Sequence, residues 1–272
     1  MIGEPPKSIV HPTDLSFASQ DAFAHALRIA LASRGVLHVL HIESKGVDAE
    51  DWDRFPHVRE MLARWGLIDA ATPRHEIEAK TGVKVLKASI SADTPVHGVA
   101  AYVERHLSDL MVLMTHNRSG LERWLEGSVA EDTVRETHSP ALFLREDQPG
   151  FIDRETGKVS LNTVLMPVEA SVPPLDAFRH IADFAHALNP AAEVRLLHVG
   201  EELPLFEGLL PHIELRQGPV IETILDYAQK IGADLIAMPT QGRRGLLDAL
   251  RGSTTERVLH ESPCPLYAIP AK

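Results

Sequence analysis

The chain has a single cysteine, no long apolar run and a deficit of positive charge, and each shortage removes a class of function. Cys264 has no partner for an intramolecular disulfide, which excludes a disulfide scaffold and fits a reducing compartment. One thiol is also a poor basis for a metal cluster. No apolar run reaches membrane-spanning length, and the start, Met1-Ile-Gly-Glu-Pro-Pro-Lys7, lacks the apolar core and small-residue cleavage site of a secretory signal. The expectation is a soluble cytoplasmic protein without a membrane partner. Lys and Arg number 27 against 38 Asp and Glu, a formal net charge of -11. That balance opposes broad attraction to a polyphosphate backbone and argues against nucleic acid as a partner, although Arg243-Arg244 is a local basic spot. What remains is ample: 272 residues, 44% hydrophobic, suffice for two domains with separate cores.

A repeat at domain scale supplies those two domains. Ser108-Asp-Leu-Met-Val-Leu-Met-Thr-His-Asn-Arg-Ser-Gly120, then Gly127-Ser128, Glu131 and Ser139-Pro140, match Ala233-Asp-Leu-Ile-Ala-Met-Pro-Thr-Gln-Gly-Arg-Arg-Gly245, then Gly252-Ser253, Glu256 and Cys264-Pro265. These pairs share an offset of 125 residues. Ile9-Val-His-Pro-Thr-Asp14 matches Val164-Leu-Met-Pro-Val-Glu169, and Leu37-His-Val-Leu-His-Ile42 matches Val194-Arg-Leu-Leu-His-Val199, at offsets of 155 to 157. The second copy therefore lacks about 32 residues between its second strand and the helix before Asp234. The first copy keeps a charged, helix-patterned stretch there, roughly Asp51 to Lys80. The expected organisation is a domain over 1–146, a polar linker over 147–161 with turn signals at Pro149-Gly150 and Thr156-Gly157 and room for a small hairpin, and a shortened domain over 162–272.

Short apolar runs alternate with helix-period segments in both copies. Strands are expected at Ile9-Val10, Val36 to Ile42, Val83 to Ser89, Leu110 to Met114 and Ala141 to Leu144. The second set is Thr163 to Met166, Val194 to Val199, Ile213 to Arg216, Leu235 to Met238 and Leu266 to Ile269. Helices are expected over Ser19 to Ser33, Pro95 to Leu107 and Ser128 to Thr137, and over Pro174 to Leu188, Pro219 to Ile231 and Ser253 to His260. Such alternation implies parallel strands and right-handed crossovers, hence an α/β fold of two tandem, open, doubly wound sheets. Ligands of these sheets sit at the carboxyl ends of the strands where strand order reverses. The loops after the first strand (Pro12 to Ser16; Pro167 to Ser171) and after the fourth (Thr115 to Ser128; Thr240 to Ser253) are thus the candidate sites.

Gly127-Ser128 and Gly252-Ser253 carry the most local information. A glycine lets backbone amides approach a phosphate, a serine hydroxyl can donate to it, and a helix N-terminus favours its charge. The same dipeptide can also simply cap a helix.

Together these motifs resemble the universal stress protein family over nearly the whole chain, in both copies. The family pattern has a first strand ending near Pro-x-Asp, a second ending in His-Val, a fourth followed by Gly-x2-Gly-x9-Gly-[Ser/Thr], and a last strand preceded by Cys-Pro. Here Pro12-Thr-Asp14, His41-Ile42, His198-Val199, Gly242-x9-Gly252-Ser253 and Pro263-Cys-Pro265 are similar to it. The resemblance implies a Rossmann-like fold of the adenine nucleotide alpha hydrolase type, and a stress-response module that binds ATP, with magnesium, without fast catalysis. It implies a nucleotide site at Pro12, Thr13, Asp14, Ile42, Thr115, Asn117, Gly127, Ser128 and Val129, and a second at Pro167, Glu169, Val199, Gly242, Gly252, Ser253 and Thr254. Both copies depart from this pattern. The first loop glycine is Met114 in one copy and Pro239 in the other, and Pro239 removes an amide and fixes φ. Asn117 and Glu169 replace the second glycine and the aspartate. A weak ATP hydrolase or nucleotide-driven switch, and an assembly scaffold with decayed sites, are the alternative readings. Because final strands pair in the family, Ala141 to Leu144 and Leu266 to Ile269 are expected to join the copies as a pseudo-dimer, and two chains to form a homodimer.

Other residues give bland readings. The 15 histidines show no metal-ligand spacing, and His38 and His41 fall on opposite faces of a strand. No Gly-x-Ser-x-Gly elbow surrounds Ser16, Ser128 or Ser253, so capping is the better role and no catalytic residue is assigned. Cys264 reads as a small buried residue, and Trp52, Trp65 and Trp124 as packing or contact groups of the first copy.

Overall fold

The computed structural model describes residues 5–44, 52, 55–115, 133–134, 137, 139–146, 148–169, 174–205, 208, 211–240 and 254–270. The first half contains β1 (Ser8–Pro12), α1 (Ser19–Ser33), β2 (Val36–Ser44), α2 (Val58–Arg64), α3 (Arg74–Thr81), β3 (Lys84–Ala92), α4 (Pro95–His106), β4 (Leu110–Thr115) and β5 (Ala141–Arg145). The second contains β6 (Thr163–Pro167), α5 (Pro174–Leu188), β7 (Glu193–Val199), β8 (Ile213–Arg216), α6 (Val220–Ile231), β9 (Leu235–Thr240), α7 (Thr254–Glu261) and β10 (Leu266–Pro270). Among the described residues no helix is long and apolar enough to cross a membrane.

The strands form one sheet in the order β3-β2-β1-β4-β5-β10-β9-β6-β7-β8. Each half is a parallel, doubly wound sheet, and the halves meet where β10 runs antiparallel to β5, with Leu266 opposite Phe143 and Ala268 opposite Ala141. The expected pairing of the final strands is therefore present within the chain, and it covers two apolar edges that would otherwise template aggregation. Tyr267, fully buried at this seam, has its hydroxyl bonded to His180 Nε2 at 2.8 Å. Burial pushes its phenol pKa up.

Central strands such as Leu110–Thr115 and Leu235–Thr240 are apolar on both faces because helices cover both. Ile9, Leu37, Leu110, Val164 and Leu196 pack on one face with residues of α1, α2, α3 and α5. Val10, Leu40, Met111, Leu165 and Ile236 pack on the other with α4, α6 and α7. Cys264 is buried in this second layer, its thiol pushed up to about 12 mainly by desolvation, which makes it a packing residue.

The ends of β3 and α4 depart from the periodicity, whereas the helix-patterned insert agrees with it. β3 runs three residues past Ser89, to Ala92, because it stays in register with β2 to the end. α4 stops at His106 because Leu107 turns left-handed, φ 48°, and its amide closes on the Val103 carbonyl. The stretch peculiar to the first half forms α2 and α3, whose Met61, Leu62 and Ile77 join Phe55 in the core beside α1.

The polar segment between the halves is a docked hairpin. Ile152 and Val159 form an antiparallel bridge, and Phe151 and Ile152 are buried. His25 of α1 links it to the body: Nδ1 donates to the Asp21 carbonyl at 2.7 Å and Nε2 accepts from the Ile152 amide at 3.1 Å. On its other side Trp65 Nε1 donates to the Arg154 carbonyl at 3.0 Å, and Arg64 pairs with Glu155 at 2.7 Å. The α2–α3 insert thus buttresses this connection.

Candidate functional site

Each half builds its crevice from the same backbone arrangement. At the amino end, Asp109 Oδ2 accepts from the amides of Lys7 and Ser8 at 2.9 and 2.8 Å, tying β4 to β1. Asp234 Oδ2 does the same for Asn162 and Thr163 at 2.7 and 2.9 Å. The β1–β4 ladder ends at Val10 opposite Met111, and the β6–β9 ladder at Leu165 opposite Ile236. Beyond these pairs the strands part toward their carboxyl ends, at the place where strand order reverses. Because β5 and β10 are antiparallel, the carboxyl ends of the strands, and with them the two crevices, point in opposite directions along the strand axis.

The loop leaving the first strand of each half is held by matched bonds. Thr13 N donates to the Leu40 carbonyl and Val168 N to the Leu197 carbonyl, both at 2.8 Å. His41 Nδ1 donates to the Thr13 carbonyl and His198 Nδ1 to the Val168 carbonyl, both at 2.9 Å. The next residues, Asp14 and Glu169, are exposed carboxylates at the crevice rim. At the fourth strand, Thr115 Oγ1 donates to the Leu144 carbonyl at 3.1 Å, and Thr240 Oγ1 to the Ile269 carbonyl at 3.4 Å.

The recurrence extends to recognisable relatives. The model of the universal stress protein family matches residues 6–145 and 205–270. The chain belongs to the universal stress protein family. It is 30% identical over 145 residues to a universal stress protein of Methanocaldococcus jannaschii, covering 52% of this chain and 82% of that one. A second, from Synechocystis sp., is 27% identical over 139 residues, 42% of this chain and 88% of that one. The crystal structure of a universal stress protein from Archaeoglobus fulgidus shares the fold with TM-score 0.65 and 20% identity, covering 97% of both chains. The family match in the second half begins only at residue 205, yet β6 and β7 reproduce the bonds of β1 and β2.

Of the residues singled out from the sequence, the fold gathers Pro12, Thr13, Asp14, Ile42 and Thr115 at the carboxyl ends of β1, β2 and β4 in the first half. It gathers Pro167, Glu169 and Val199 likewise in the second, with Thr254 opening α7. Ile42 packs toward α4, where a Cβ on Gly98 would lie 3.0 Å from its Cδ1. Asn117, Gly127, Ser128, Val129, Gly242, Gly252 and Ser253 lie outside the described residues, as does Trp124.

Periodicity did not single out His41 and His198 as loop holders; their signal was recurrence at an offset of 157 before Ile42 and Val199. Trp52 also lies here in the first half alone, edge-on to His41 at 6.2 Å, with Nε1 donating to Ser89 Oγ at 3.0 Å and Lys87 Nζ 5.0 Å over its ring. Among the described residues no cluster of three or more His, Cys, Asp or Glu forms a metal-ligand set.

Proposed function

We propose that this protein is a regulatory module that binds an adenine nucleotide at the carboxyl ends of its strands and does not turn it over at ordinary enzyme rates. The observation that carries this reading is the repeated loop anchorage: His41 and His198 fix the backbone that presents Asp14 and Glu169 beside a split pair of strands. An exposed carboxylate at that point suits the hydroxyls of a ribose, and it stands beside the crevice between the first and fourth strands of its half. The residues present therefore fit the nucleoside end of the ligand. ATP with magnesium is the form to test. The nearby hydroxyls and imidazoles are engaged in holding backbone, which favours binding over chemistry. In the cell we assign the module to the cytoplasm, to stress response and to a homodimer.

Calorimetric and thermal-shift titration with ATP, AMP and magnesium tests this reading. Binding raises the melting temperature by linkage, and Asp14→Ala lowers affinity. No heat and no shift at millimolar nucleotide would instead favour a scaffold. Turnover at roughly 1 to 1,000 per second would make it an enzyme.

A further inference from the structure

The two first-strand loops share their backbone anchors and differ in what stands behind them. In the first half, the Leu15 amide donates to Thr13 Oγ1 at 3.0 Å, which leaves the Thr13 hydroxyl proton to reach Ser19 Oγ at 2.7 Å. Ser19 in turn faces His11 Nε2 at 3.3 Å, and His11 Nδ1 meets the Val112 carbonyl at 2.9 Å. A carbonyl only accepts, so Nδ1 carries the proton and Nε2 is the acceptor. Every hydrogen in the chain Leu15→Thr13→Ser19→His11→Val112 therefore has one direction. Burial keeps the imidazole neutral, with its pKa pushed down to about 4, so the acceptor persists at neutral pH.

This relay spans the crevice, because Val112 belongs to β4, three residues before the fourth-strand loop, while Leu15 follows Asp14. It also holds a costly conformation. Leu15 sits at φ 61°, a left-handed backbone that a branched side chain adopts only when its surroundings impose it. On the other side, Asp14 Oδ1 accepts from the Ser16 amide at 3.0 Å and Ser16 Oγ from the Ser19 amide at 3.2 Å, closing the loop onto α1. In the second half the equivalent positions, at the shared offset of 155, are Met166, Val168 and Pro174. None of these side chains can pass on a hydrogen bond of this kind.

We infer that His11, Ser19 and Thr13 are positioning residues that preset the first-strand loop of the first half, making it the tighter of two unequal nucleotide sites. This rests on the nucleotide reading above. Preset geometry raises affinity by removing the ordering cost of binding, and the second half has the same anchors without the relay.

The test is calorimetry with ATP and magnesium on the full chain, beside hydrogen exchange at the Leu15 amide without nucleotide. Variants are Thr13→Val, which keeps shape and removes the hydroxyl, Thr13→Ser, which restores it, and Ser19→Ala as a second break should the first not fold. The expected result is one tight step in the wild type, weakened about tenfold by Thr13→Val or Ser19→Ala, the scale of one lost hydrogen bond. Leu15 exchange should be faster by a similar factor in Thr13→Val, with both properties returned by Thr13→Ser. Wild-type binding that Thr13→Val and Ser19→Ala leave unchanged, or a tighter site mapping to Pro167–Glu169, would overturn the inference and leave the nucleotide reading standing. A wild type that takes up no nucleotide would overturn both.

Discussion

Acidification from pH 7 to pH 5 is expected to weaken the fold through two buried imidazoles. His11 and His25 are each pushed down to about 4 by desolvation, which outweighs their bonds to the Val112 and Asp21 carbonyls. In the unfolded chain both titrate near about 6.5. Between these values the unfolded state binds protons that the folded state refuses, so stability falls as pH drops through that window. At pH 5 the loss is about 2 kcal/mol for each histidine and about 4 kcal/mol for the pair. His38, lowered by burial and by repulsion from His106 and Lys84, acts in the same sense. Asp21, raised by burial, acts in the opposite one, since its neutral form suits the folded state. Urea denaturation at pH 7, 6 and 5 and constant ionic strength measures the sum, and His25→Gln should remove close to half of the change. Equal stability at pH 5 and pH 7, or either imidazole titrating near its ordinary value in the folded protein by NMR, would refute the reasoning.

Further outcomes follow from the paired construction. Asp109→Ala and Asp234→Ala each strand two backbone amides, so each should lower stability by about 1–3 kcal/mol in denaturant titration, and by similar amounts. Gly35→Ala drives a Cβ into the Lys7 carbonyl oxygen, a backbone atom unable to swing aside, and should cost about 1–3 kcal/mol in the same assay. Arg145, just past the seam, donates to the carbonyls of Leu259, His260 and Ser262 at the end of α7. Arg145→Ala should therefore speed hydrogen exchange across Thr254–Glu261 while leaving α5 unaffected.

Long periodic elements were legible from the residues: α1 occupies Ser19–Ser33 and α5 Pro174–Leu188, as their apolar spacing requires. The fusion into one sheet followed from the repeat together with the family's pairing of final strands. The small hairpin over 151–160 was legible from its turn signals, but its docking was not, because its anchorage comes from two apolar residues, Phe151 and Ile152, within a polar stretch. For the site, Asp14 and Glu169 were marked by motif. The relay behind Asp14 was not, since His11 and Ser19 are eight residues apart and meet only when β1 turns into α1. A buried polar chain of this kind depends on tertiary closure, to which periodicity is blind. The Gly-Ser ends of both fourth-strand loops fall outside the described residues.

Native mass spectrometry of the full chain purified without added nucleotide, and again after ATP and magnesium, tests the central claim most directly. An adenine nucleotide retained or taken up by the wild type and lost from Asp14→Ala is the predicted result. A wild type that stays free of nucleotide at millimolar ATP would contradict the account.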